Sequence, residues 1–139
     1  MLNIKFSHIG IIVKDIRDFG QLLENVFNAQ PVSEIVEDPE QKAFLRMYKS
    51  GNSFIELISP AGEDSSVQTA LKRLGEGLAH LCFETDDLNL ALNYARDNGA
   101  VVFSRPTPAV LFGGKKVAFA IFPNKLIIEF KESEDACNR

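Results

Sequence analysis

Two histidines and two glutamates carry the chemistry legible in this 139-residue chain. His8 and His80 are its only histidines, and each opens an apolar run, Ile-Gly-Ile-Ile-Val after His8 and Leu-Cys-Phe after His80. At almost the same separation downstream, each half sets one acid among apolar neighbours. These are Glu56 in Ser-Phe-Ile-Glu-Leu-Ile and Glu129 in Leu-Ile-Ile-Glu-Phe. An acid in such a run either faces water on an alternating strand or is buried with a partner. Burial without one is costly and usually ends in protonation. Taken singly, each residue reads blandly, the histidine as a hydrogen-bonded core residue and the glutamate as surface. Taken as two copies of one pair, they read differently. If a pseudo-twofold axis relates the halves, two imidazoles and two carboxylates converge into a mixed N/O site for one divalent cation.

The elements that must position these residues also repeat. Asp15 and Asp87 follow the two histidines at equal spacing, each as an expected N-cap. Ile16, Phe19, Leu22, Leu23, Val26 and Phe27 then recur at helical spacing, as do Leu88, Ala91, Leu92 and Ala95, with Gly99 as a stop. Short β-rich runs follow each helix. They are residues 32–36, 43–49 and 53–58 in the first half, and 100–104, 116–122 and 126–131 in the second. Lys49-Ser50-Gly51-Asn52 and Phe112-Gly113-Gly114 break them. A linking helix is predicted over about 65–75, capped at Ser65 or Ser66, with Val67, Ala70, Leu71 and Leu74 inward and Gly75 as stop. The fold class is therefore α+β, two tandem βαβββ modules. Residues 1–139 read as one domain, with module one at about 4–59 and module two at about 78–132.

Composition narrows the function. Fifteen basic against nineteen acidic residues give a net charge of −4, without a basic stripe, which disfavours nucleic acid. No apolar run reaches the ~20 residues of a membrane span. The N-terminus lacks a secretory pattern. Cys82 and Cys137 form no CxxC or zinc spacing, so a reduced, cytoplasmic setting is expected. Gly113-Gly114-Lys115-Lys116 is not a P-loop and reads as a tight turn. Arg105, Lys115, Lys116 and Lys125 could meet anionic phosphates, though such charges are more often solvated. Glu37, Asp38 and Glu40 read as a surface acidic loop, and residues 132–139 as a polar tail with an exposed Cys137.

On these residues the chain resembles the vicinal oxygen chelate superfamily over about residues 5–132. Within it the likeness is closest to methylmalonyl-CoA epimerases. The matching stretches are His8-Ile-Gly-Ile, Asp38-Pro-Glu-Gln-Lys, Ile55-Glu-Leu-Ile-Ser-Pro60, residues 75–87, Gly113-Gly114 and Leu126-Ile-Ile-Glu-Phe. In the family this chain resembles, such modules form curved mixed sheets around a metal site. The resemblance implies His8, Glu56, His80 and Glu129 as ligands of one divalent metal (Co, Ni, Mn or Zn). Leu45 stands where some bacterial epimerases carry a further glutamate. It also implies proton abstraction next to a metal-polarised carbonyl, with Glu129 and Glu56 as the acid–base pair. An acyl-CoA thioester is the expected substrate class, a homodimer the expected assembly. The alternatives are a glyoxalase I-like lactoylglutathione lyase and a non-catalytic small-molecule binding protein. Pro60 stands where glyoxalases hold glutathione with an Asn, which disfavours the lyase. A dioxygenase needs three open metal positions, and a fourth ligand closes one.

Overall fold

The computed structural model describes residues 2–134, so Cys137 and the end of the polar tail lie outside the described residues. The chain divides into two compact units, His8–Ala79 and Met1–Ser7 with His80–Arg139. Three α-helices and ten strands form among the described residues. No described helix is long and apolar enough to cross a membrane.

In the first unit, β1 (Ile4–Ile12, of which Ile4–Ser7 belongs to the other unit) leads into α1 (Ile16–Phe27). The short strands β2 (Gln30–Pro31) and β3 (Val36–Asp38), then β4 (Ala43–Ser50) and β5 (Ser53–Pro60), follow. β5 runs parallel to β1 and antiparallel to β4, while β2 and β3 both pair with β4. Asp15 caps α1, its carboxylate accepting from the N–H groups of Arg17 and Asp18. The core beneath α1 holds Val13, Ile16, Leu23, Ala29, Tyr48 and Leu57. Gly20 lies where α1 comes closest to the sheet, because a Cβ there would strike the Tyr48 hydroxyl. α2 (Ser66–Leu74) has the expected Ser65 cap and ends at Gly75, whose φ of 77° suits glycine.

The second unit repeats the plan with β6 (Gly77–Thr85, from His80 onward), α3 (Leu88–Asp97), β7 (Val101–Val102), β8 (Thr107–Pro108), β9 (Lys116–Ile121) and β10 (Ile127–Glu132). β10 runs parallel to β6 and antiparallel to β9, and β7 and β8 pair with β9. Asp87 caps α3 by accepting from Leu90 N–H. The core beneath α3 is rich in alanine, with Ala91, Ala95, Ala100, Ala118 and Ala120 beside Leu88, Leu92, Ile128 and Phe130.

Four expectations need correction. The runs 32–36 and 100–104 are not continuous strands. In each a serine side chain replaces a ladder bond: Ser33 Oγ accepts from Met47 N–H at 2.9 Å, and Ser104 Oγ from Phe119 N–H at 2.8 Å. Leu22, Val26 and Phe27 are exposed, so the buried stripe of α1 is narrower than its periodicity suggests. Leu74 is likewise exposed, at the end of α2. Asp38 is buried rather than a surface acid, its carboxylate accepting from the N–H groups of Glu40 and Gln41 and from the Gln41 amide.

Candidate metal centre

Strand alternation decides which face each candidate residue takes. In the first unit Ile11, Ile55 and Leu57 pack toward α1. The intervening His8 and Glu56 therefore point to the opposite face of the β1–β5 pair. The register Gly10↔Glu56 sets His8 diagonal to the acid. His8 Nε2 lies 3.4 Å from Glu56 Oε1, and both side chains are buried.

The second unit arrives at the same arrangement from different neighbours. Leu81, Phe83, Ile128 and Phe130 pack beneath α3, which turns His80 and Glu129 to the other face. The register is Glu129↔Cys82, again placing the histidine diagonal to the acid. His80 Nε2 lies 3.2 Å from Glu129 Oε1, and this pair is also buried. Each unit thus carries out of water one imidazole and one carboxylate that address each other. A buried carboxylate needs such a partner. Imidazole nitrogen and carboxylate oxygen are also donors that first-row divalent ions accept, so the residues present fit the metal the family resemblance implies.

The residues around the two pairs differ. Across from Glu56 stands Met47, and across from Glu129 stands Phe119. The Phe119 ring meets His80 edge-on at 5.6 Å and stacks on Phe103 at 6.1 Å. Further along the Glu129 face, Lys131 lies opposite Glu84, with Nζ and Oε2 3.4 Å apart. Phe112, in a turn of 3₁₀ helix over Val110–Phe112, places its ring 4.8 Å from the Lys131 ammonium.

Arg105, Lys116 and Lys125 are exposed, and Lys115 pairs with Glu134 at 3.5 Å. Leu45 is buried opposite Ile58, and Pro60 ends β5. Sequence reading missed Glu84, Lys131, Phe119 and Phe103. The first two carried a usable signal, since each follows a site-face residue (Cys82 and Glu129) at period two.

Comparison with known proteins agrees with the geometry. The sequence profile described as Glyoxalase/Bleomycin resistance protein/Dioxygenase superfamily matches residues 7–119. The uncharacterized protein YqjC of Bacillus subtilis is 34% identical over 116 residues, 83% of this chain and 81% of its own. The mitochondrial methylmalonyl-CoA epimerase of Dictyostelium discoideum is 30% identical over 132 residues, 92% of this chain and 78% of its own. Among solved structures, a single-residue variant of Streptomyces coelicolor methylmalonyl-CoA epimerase in complex with 2-nitronate-propionyl-CoA superimposes with a TM-score of 0.80. It is 25% identical and covers 94% of this chain and 97% of its own.

Proposed function

Because the chain belongs to the Glyoxalase/Bleomycin resistance protein/Dioxygenase superfamily, we propose that it is a divalent-metal-dependent epimerase. It would move a proton at the carbon beside a carbonyl, on an acyl-CoA thioester of the methylmalonyl class. The observation that carries this reading is the buried His–Glu pair made twice, once in each unit. The relatedness to a methylmalonyl-CoA epimerase over most of the chain supports the substrate class.

In this reading His8, Glu56, His80 and Glu129 together hold one ion (Co, Ni, Mn or Zn). When bound, the ion supplies Lewis-acid polarisation of the substrate carbonyl, which makes the neighbouring C–H acidic. The two histidines would serve only as nitrogen donors. The two glutamates, one from each unit, are the groups able to carry a proton. One of them, Glu129 in this reading, would loosen from the ion as substrate binds and take the proton as the C–H bond breaks. The other, acting as the acid, would return a proton to the opposite face of the same carbon, so configuration inverts. The apolar neighbours Met47 and Phe119, across from the two glutamates, would limit access of water to the reacting carbon. A homodimer in a reducing cytoplasm completes the reading; Cys82 is buried and unbridged.

The test is solvent deuterium uptake by metal-loaded protein at the α-carbon of methylmalonyl-CoA, beside turnover of the glutathione hemithioacetal. Rapid α-exchange with slow glyoxalase turnover is the expected result. Fast glyoxalase turnover without exchange into any acyl thioester would reverse the ranking in favour of the lyase.

A further inference from the structure

On the face that carries Glu129, the next residue along β10 that points the same way is Lys131, about 6–7 Å further at two residues' rise. Its side chain is 13% exposed, an unusual degree of cover for an ammonium. Three features hold it there. Glu84 lies opposite in register and pairs with it, the Phe112 ring roofs it at 4.8 Å, and the strand below is fixed by Ile128 and Phe130 in the core. Glu84 does not neutralise the group alone, because it also pairs with Lys5 at 3.3 Å. Two ammoniums, Lys5 and Lys131, therefore share the Glu84 carboxylate. An ammonium has three donors, of which Glu84 takes one and the aromatic face covers another direction.

The corresponding rung of the first unit is purely apolar, Ile12 opposite Ile58. The cation is thus present in one unit of a repeated design and absent from the corresponding rung of the other.

We propose that Lys131 is a specificity-determining residue, its ammonium binding the free carboxylate of a malonyl-type acyl group on the face that carries Glu129. This rests on the epimerase reading above and extends it. A substrate lacking the second carboxylate would gain nothing from Lys131. Glu84 and Phe112 are positioning residues, which keep the ammonium extended along the face instead of folded into solvent.

The experiment compares wild type, Lys131→Met and Lys131→Arg, each loaded with Mn²⁺ and assayed for bound metal. Malonate and acetate binding are measured by calorimetry. Lys131→Met keeps the apolar stem beneath Phe112 and removes the charge, whereas Lys131→Arg keeps the charge. Expected are equal metal contents, malonate binding weakened roughly 10- to 100-fold in Lys131→Met, the usual effect of losing a charged hydrogen bond, and recovery in Lys131→Arg. Acetate binding should be the same in all three. Lys131→Met that binds metal and malonate as wild type does would overturn the proposal, as would equal losses for malonate and acetate. Malonate affinity is read without turnover, so metal-loaded wild type that exchanges no α-proton would defeat the epimerase reading alone.

Discussion

The two units of this chain build the same His–Glu pair on differently packed foundations. The shared parts are those that aim the ligands. They are an Asp-capped helix, a parallel strand pair with the histidine diagonal to the acid, and a serine that takes one ladder N–H. The packing between helix and sheet is exchanged. In the first unit α1 offers Gly20 and the sheet offers Tyr48, whereas the equivalent positions of the second unit hold Leu92 and Ala120, also buried. Small-on-helix with large-on-sheet has become the reverse, and the total volume is roughly conserved. Cores tolerate such swaps when the volume stays balanced. The ligand faces have diverged as well. Gly10, Met47, Ile12 and Ile58 on one side correspond to Cys82, Phe119, Glu84 and Lys131 on the other. Duplication thus preserved the buried His–Glu pair and released the residues around it.

The largest effect expected from this comparison is catalytic. Glu129→Gln keeps an oxygen donor of the same size and removes the proton acceptor. It should retain metal and lose at least ~10²-fold in exchange rate, the scale of a general base. Near-normal exchange by a metal-loaded Glu129→Gln protein would place the base elsewhere.

The packing exchange gives the next largest effect. Gly20→Ala drives a methyl into the Tyr48 hydroxyl and should lower unfolding free energy by about 1–3 kcal/mol, despite the gain in helix propensity. Combining it with Tyr48→Phe should recover part of that loss, because the clash is with the hydroxyl. Urea unfolding of the single and double variants measures both. Additive losses in the double variant would show that the two residues do not share one space.

The smallest effect is a pH dependence that only the first unit supplies. Burial, and the hydrogen bond from Tyr48 to Glu24 at 3.0 Å, raise the Tyr48 hydroxyl above its ordinary value of 10.0. The folded protein therefore holds this proton more tightly than the unfolded chain. Its contribution is complete below pH 10 and is lost as pH rises from there through the folded value. Tyr48→Phe should flatten the alkaline limb of a melting-temperature profile, and an unchanged limb would assign it to other groups. Ala120 gives the second unit no counterpart.

The two His–Glu pairs were legible from sequence because both the residue types and their spacing repeat. The two aspartate caps and the Ser65 cap were legible because each satisfies N–H groups within three residues of itself. What escaped depends on contacts distant in sequence. Val32–Val36 reads as a strand until Ser33 is seen to bond Met47, and Asp38 reads as surface until its turn is seen to enclose it. Lys131 and Glu84 look like solvated charges until the β6–β10 register sets them opposite each other on the Glu129 face. Leu22, Val26 and Phe27 continue the helical period of α1 but lie exposed, outside the cluster that Ile16 and Leu23 form.

The central claim is that two pairs, one from each unit, hold a single ion, and counting ions tests it most directly. Metal-free protein is titrated with Co²⁺ or Mn²⁺ by calorimetry, in parallel with His8→Ala and His80→Ala. One ion per chain, with uptake abolished by either substitution, is the expected result. Two ions per chain, each lost with its own histidine, or uptake unaffected by either change, would contradict it.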